Sequence, residues 1–294
     1  MSPYLVIVTG ASSQIGMFLL PTLLNEGFSV AAVSRNASFG RMLPKAVRWY
    51  DVDLTTNLQD MPAGDCLVHL APIWILPGSI SLLAERGLTR LLAFSSTSAL
   101  SKRDSADHQE RELANRLQAA EDAVSAQCER YGIKWTLFRP TLIYGAGRDA
   151  NVTAIARFVR RYGFFPLAGQ GRGLRQPVHA EDLAQAVRAA LFHPATYSKT
   201  YVLSGGEVLS YQSMVRKIFA ALRKTPRLIS LPPYMFRLAI MIAAYFPRYK
   251  YLTPTMVDRM NQDLAFSHEQ ARLDFNFHPR PFEFENPFKE TGRL

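Results

Sequence analysis

Val6-Ile7-Val8-Thr9-Gly10-Ala11-Ser12-Ser13-Gln14-Ile15-Gly16 joins an apolar run to a glycine-bearing turn that opens a helix. Residues 5–8 are continuously apolar, as a strand buried on both faces of a parallel sheet requires. The first turn of the helix carries N–H groups without intrahelical partners, and their partial positive charge attracts phosphate. Gly10 permits a tight turn and Gly16 a close helix–sheet approach. Gly10, Ser12, Ser13, Gln14, Ile15 and Gly16 are therefore read as the cradle for a dinucleotide pyrophosphate.

Further apolar runs recur at 28–33, 66–70, 90–95, 134–139 and 200–204, with helical patterns between them. That alternation predicts a parallel sheet covered by helices. The first helix carries Ile15, Phe18, Leu19, Leu23 and Leu24 at helical spacing and stops at Asn25-Glu26-Gly27, where Gly27 supplies a left-handed cap. From about residue 146 the texture changes to a glycine-punctuated, loop-rich stretch. We expect a dinucleotide-binding domain over 1–145, with a strand returning near 200–205, and a smaller substrate-binding lobe over 146–294.

At 294 residues, 48% hydrophobic and 20% charged, the chain has ordinary globular composition. A net charge of +10 favours anionic partners. The basic residues form no long block and carry no finger, basic-zipper or RNA-binding signature, so a nucleic-acid partner is not expected. Cys66 and Cys128 lack metal spacing and are too few for a disulfide framework, which points to reduced thiols and a cytoplasmic location. The N-terminus leads directly into the first strand with no basic segment ahead of a long apolar stretch, so no signal peptide is expected. Residues 234–247 are nearly all apolar and precede Arg248 and Lys250. They fall short of the roughly 20 residues a spanning helix needs. A buried helix is the first reading of 234–250, and a helix lying on the inner membrane face, making peripheral contact, is the second.

Five further motifs follow in order: Asp51-Val52-Asp53-Leu54-Thr55, His69-Leu70-Ala71-Pro72, Phe94-Ser95-Ser96-Thr97, Phe138-Arg139-Pro140-Thr141-Leu142-Ile143-Tyr144-Gly145, and Arg175-Gln176-Pro177-Val178-His179-Ala180-Glu181-Asp182-Leu183. With them the chain resembles, nearly end to end, the extended (atypical) short-chain dehydrogenase/reductases, in particular the NAD-dependent epimerase/dehydratase branch that acts on nucleotide sugars. The resemblance implies an α/β fold, a Rossmann-type doubly wound parallel sheet with a smaller C-terminal substrate lobe. It implies that Asp53, beside Leu54, bonds the adenine amino group, and that Leu70, Ala71 and Pro72 line the pyrophosphate, with Pro140 also at the cofactor. It places Thr97 beside the nicotinamide and Arg175 on the substrate pyrophosphate; Arg148 stands nearby in a glycine-rich loop, and Tyr144 is a candidate substrate contact with a structural tyrosine as the first reading. A phosphate-bearing substrate, a sugar diphosphate, is implied, as is a homodimer through helices that include the one bearing Leu113. The family's opening turn is usually TGxxGxxG, and here Ser13 stands for its middle glycine.

Ser34-Arg35-Asn36 ends the second strand without an acid to repel a 2′-phosphate, so NADP is favoured, with NAD the alternative. The family's chemistry uses a YxxxK pair on one helix face, the tyrosine as acid/base. Registering Glu121 on the family's downstream glutamate puts Leu113 and Leu117 in those places, where Leu113, Leu117, Ala120 and Val124 form an apolar stripe. A register shifted by one offers Glu112 and Arg116, which do not reproduce the tyrosine mechanism. Lys102 and His108, between strand and helix, are the candidates for relocated acid/base work, with a solvated loop as the simpler reading. The expected function is an NAD(P)-dependent oxidoreductase or epimerase of nucleotide- or lipid-linked sugars lacking the usual pair. The alternative is a catalytically inactive NADP-binding sensor or assembly subunit.

Overall fold

The computed structural model describes residues 4–35, 46–244 and 255–288. Asn36, Arg248 and Lys250 lie outside them. The chain divides into two compact units, and elements are numbered in chain order. The first unit comprises Met1–Thr141, Ala180–Leu203 and Ser267–Pro279. It contains β1 (Leu5–Thr9), α1 (Gln14–Asn25), β2 (Ser29–Ser34), β3 (Arg48–Asp51), β4 (Cys66–His69), α2 (Pro77–Glu85), β5 (Arg90–Phe94), α3 (Ser98–Ser101), α4 (His108–Arg130) and β6 (Lys134–Pro140). Later segments add α6 (Ala180–Ala190), β11 (Lys199–Leu203) and α10 (Glu269–Phe275).

The seven strands form one parallel sheet in the order β11-β6-β5-β4-β1-β2-β3. From β1 the chain winds outward to β3 and then returns to lay β4 on the other side of β1. The order reverses there, and ligands of open α/β sheets bind beyond the strand ends at such a reversal. Val6, Ile7 and Val8 are fully buried, as the apolar run predicts. One face of the sheet packs Ile7, Ala31, Leu67, Leu91 and Leu137 against Ile80 and Leu83 of α2 and Leu117, Ala120 and Val124 of α4.

The sequence reading located six of the seven sheet strands and missed β3, whose Arg48-Trp49-Tyr50-Asp51 is an edge strand with exposed ends. It also assigned to the first unit only the strand near 200–205 from the chain beyond 145. Helix α6 and the 267–279 segment belong there too, and the unit breaks after Thr141. Two polar knots explain the attachment. Arg90, buried at the start of β5, donates to the carbonyls of Ala190 (2.9 Å) and Leu191 (2.6 Å) at the end of α6 and to Thr136 and Thr196 hydroxyls. Asp274 of α10 accepts from Tyr201 (2.5 Å) and Lys199 (2.7 Å) of β11.

The second unit comprises Leu142–His179, Ser204–Phe266 and Arg280–Leu294. It contains β7 (Ile143–Tyr144), α5 (Val152–Tyr162), β8 (Phe165–Ala168), β9 (Leu174–Arg175), β10 (Val178–His179), β12 (Leu209–Ser210), α7 (Tyr211–Ala221), β13 (Leu228–Leu231), α8 (Pro233–Ala244) and α9 (Thr255–Arg259). Three two-stranded ladders, β10-β7, β12-β9 and β13-β8, hold it together. Its main core gathers Tyr144, Val159, Met214, Ile218, Phe219 and Phe282. A second cluster joins Phe236 and Ile240 of α8 to Ala168, Val257 and Met260. Among the described residues no helix is long and apolar enough to cross a membrane.

Candidate functional site

The turn between β1 and α1 is built by sterics at two glycines. Gly10 has φ +65°, and a Cβ there would lie 2.6 Å from the Ala71 nitrogen and 2.8 Å from the Leu70 carbonyl carbon. A side chain at Gly16 would fall onto the Ala11 carbonyl oxygen. Gly16 thus closes the helix onto its own entry turn, where sequence reasoning had it approach the sheet. Ser13 caps α1 by accepting from Gly16 N–H (3.2 Å), an interaction worth about 1 kcal/mol. This is the local work of the residue that replaces the family's middle glycine. Ser34, at the end of β2, donates to Ser12 (3.0 Å) and fixes the other side of the turn.

Leu70, Ala71 and Pro72 follow β4 beside this turn, with Leu70 N–H donating to the Thr9 carbonyl (2.8 Å). His69 is buried, and its Nε2–H donates to the Pro72 carbonyl (3.3 Å) while Nδ1 faces the Thr9 hydroxyl at 2.8 Å. Burial pushes its pKa down to about 4, so the ring is neutral and serves to pin the loop. Asp53 accepts from Thr55 Oγ1 (2.6 Å) and Thr55 N–H (2.9 Å) through Oδ1. These bonds, the hydroxyl's first, hold its carboxyl below the usual range, and exposed Arg35 adds to the effect. Leu54 packs half-buried against the sheet core.

A nicotinamide dinucleotide fits these residues. Gly10 lets the Leu70–Ala71 backbone close onto the turn, where a Cβ would collide with it, and the first turn of α1 follows directly, with Ser13 as its cap.

At the far ends of β5 and β6, Thr97 is buried and its hydroxyl donates to the Pro140 carbonyl (3.1 Å). Ser95 Oγ donates to the carboxylate of Glu121 on α4, and the Arg139 guanidinium engages the same carboxylate, its Nε at 3.0 Å from both oxygens. Glu121 is 3% exposed, so this buried pair locks α4 in register against both strands. Sequence reasoning used Glu121 only as a landmark and missed the pair; the signal was an arginine within the otherwise apolar run of β6.

With α4 locked in this way, Leu117 is buried in the sheet core and Leu113 packs half-buried against it. Arg116 of the shifted register is exposed and stacks on Trp74 at 4.2 Å, while Glu112 pairs with His108 at 3.6 Å. His108 is the first residue of α4, with its side chain 73% exposed. Lys102 is half-buried, 3.8 Å from Glu110. The described contacts therefore join neither residue to Thr97.

In the second unit Arg175 is 4% exposed and donates to the carbonyls of Leu174 (2.6 Å), Gln262 (2.8 Å) and Arg259. Burial lowers its pKa, and its guanidinium holds the 259–262 turn. Tyr144 is 1% exposed, edge-on to His179 and Phe282, and its hydroxyl accepts from Glu283 N–H (3.3 Å). It is a core residue, so the substrate contact expected of it is not open in this structure. Arg148 is exposed in the loop before α5.

A seven-stranded parallel sheet with a glycine-built turn at its order reversal defines a Rossmann-type doubly wound α/β protein. Residues 80–204 match the NAD dependent epimerase/dehydratase family. Over 98 residues the chain is 35% identical to NADH dehydrogenase (ubiquinone) 1 alpha subcomplex subunit 9, mitochondrial, of Arabidopsis thaliana, covering 33% of this chain and 24% of that protein. Over 174 residues it is 23% identical to UDP-glucose 4-epimerase of Vibrio cholerae, covering 59% and 50%. The chain thus spans half or less of the length of these two curated relatives. The structure of MoeE5 in complex with UDP-glucose and NAD superposes with a TM-score of 0.72 at 19% identity, covering 94% of both chains. The family match covers 125 of the 294 residues, and over that stretch the chain is similar to NAD dependent epimerases/dehydratases.

Proposed function

We propose that this protein binds a nicotinamide dinucleotide at the β1–α1 turn and acts on a sugar diphosphate as an oxidoreductase or epimerase. The carrying observation is the glycine-built β1–α1 turn, which sets the amino end of α1 where the strand order of the sheet reverses. The bound coenzyme would supply hydride acceptance or donation. The chain would supply the rest: α1 N–H groups hold phosphate, Asp53 holds adenine, and Thr97 positions a substrate oxygen by exchanging its bond to the Pro140 carbonyl. Arg35 supports NADP over NAD, since it carries positive charge at the end of β2. Asp51 is paired in register with Ser34 and opposes this preference, so the ratio of NADPH to NADH affinity tests it directly.

A second reading has its own support, that of a coenzyme-binding subunit without turnover. Leu113 and Leu117 occupy the positions where the family resemblance implies tyrosine and lysine, and both pack into the core. The relative with the highest identity named above is itself a subunit of a larger assembly by its name. Titration of NADPH fluorescence, followed by turnover against UDP- and lipid-linked 4-keto sugars, separates the readings. Coenzyme binding with turnover that His108→Ala or Lys102→Ala abolishes supports relocated acid/base chemistry. Binding without turnover supports the subunit reading, and no binding of either coenzyme refutes both.

A further inference from the structure

We propose that the second unit docks on an anionic lipid surface through the exposed face of α8 and the basic edge that β13 joins to it. This inference stands apart from the coenzyme reading and rests on the distribution of charge and apolar surface.

The net charge of +10 is not shared between the units. The second carries eighteen Lys/Arg against seven Asp/Glu, and the first sixteen against seventeen. Residues 150–179 and 208–257 contain thirteen Lys/Arg and no acid at all. Helix α8 lies within the second of these stretches. It buries Phe236 and Ile240 against Ala168, Val257 and Met260, yet leaves Tyr234 72%, Leu238 59% and Met241 57% exposed, with Met235 also exposed. The intervals from 234 to 238 and from 238 to 241 are four and three residues, which set these three side chains on one stripe of the helix.

The apolar stripe and the basic edge are linked by one short strand. Lys224 Nζ donates to the Arg160 carbonyl (2.8 Å), and Phe165 N–H donates to the Arg227 carbonyl (2.9 Å). These bonds bring the end of α5 and the start of β13 together, with Arg157, Arg160, Arg161, Arg223 and Arg227 all exposed there. The four residues of β13 span about 13 Å, and Ile229 and Ser230 on it are exposed. Arg237 of α8 pairs with Asp258.

The chemistry selects among occupants. A second copy of the chain would bring two strongly positive units face to face, which repulsion opposes. A nucleic acid would satisfy the arginines but has no use for Leu238 and Met241. A bilayer with anionic headgroups satisfies both, because the helix stripe enters the acyl boundary while the arginines remain among the phosphates.

The full chain would be co-sedimented with vesicles of phosphatidylcholine alone and of phosphatidylcholine and phosphatidylglycerol in equal parts, at low and high salt. Binding to the anionic vesicles only, weakened by salt, is expected. Leu238→Glu with Met241→Glu should lower partitioning by more than about tenfold, and Arg161→Gln with Arg227→Gln by about fivefold per residue. All four side chains are exposed, and unchanged circular dichroism and melting temperature verify the fold of the variants. No vesicle binding overturns the proposal, as does binding that the α8 variant leaves intact. Binding of a single-stranded oligonucleotide in place of vesicles, or a dimer that Leu238→Glu with Met241→Glu splits without any vesicle binding, overturns it as well.

Discussion

Replacing Gly10 by alanine should damage the cradle through two effects that a second glycine separates. Both Gly10 (φ +65°) and Gly27 (φ +84°) occupy the left-handed region, where an L-residue costs about 1–2 kcal/mol. A Cβ at Gly27 meets nothing within 4 Å, whereas at Gly10 it meets backbone of Leu70 and Ala71 at 2.6–2.8 Å. That backbone is held by the Leu70 N–H bond to Thr9 and by His69 on Pro72, so it cannot yield without cost. Crowding of this kind adds about 1–3 kcal/mol. Gly27→Ala should therefore lose about 1 kcal/mol, and Gly10→Ala about 3–4 kcal/mol, together with more than about tenfold in NADPH affinity because the β4 loop is displaced from the pyrophosphate. Urea unfolding followed by circular dichroism measures the first quantity, and calorimetric titration the second. Equal destabilisation by the two substitutions, or unaltered coenzyme affinity in Gly10→Ala, would refute the steric account of the turn.

Glu121→Gln removes the charge that faces Arg139 in a buried setting and should cost about 3 kcal/mol, read by the same urea titration; a loss below about 1 kcal/mol would contradict a locked α4. Cys66 and Cys128 are fully buried, and burial pushes both thiols up to about 12, so neither should react with a thiol reagent at neutral pH until the chain unfolds. Asp274 is held at about 2, first by Lys199 and then by Tyr201 and Gln270, against 3.8 for a free carboxyl. A depressed carboxyl contributes stability that is complete above its unfolded pKa and lost as pH falls from about 4 to about 2. Asp274→Asn should flatten the stability profile over that interval, and an unchanged acid limb would remove this clasp from the account.

The sheet was legible because each of its interior strands is a local apolar run, and the turn was legible because glycine placement is a backbone requirement written residue by residue. Strand β3 escaped because an edge strand needs no continuous apolar run, and Trp49 and Tyr50 are only half-buried. The attachment of α6 and α10 to the first unit escaped for a different reason. Arg90 binds carbonyls a hundred residues away, and no periodicity announces such a contact. Tyr144 and Arg175 were legible as members of motifs but not as buried groups, since a motif fixes where the backbone goes and not whether a side chain's partners come from ligand or chain. Their partners here are Glu283 N–H and three carbonyls.

Helix α4 carries the sharpest consequence of that distinction. A proton-transfer pair needs a face that water and substrate can reach. In this chain the Glu121–Arg139 pair and Ser95 tie α4 to β5 and β6, and Leu117 lies in the apolar core that α4 shares with the sheet. A lysine at 117 would place its ammonium in that core, where desolvation opposes the charged form. The apolar pair is thus part of how the sheet is covered as well as a missing reagent. Any proton moved at Thr97 must then come from outside the α4 stripe, and Lys102 before α4 and His108 at its start already face Glu110 and Glu112. Proton transfer by Lys102 would draw on an ammonium that already lies 3.8 Å from the Glu110 carboxylate.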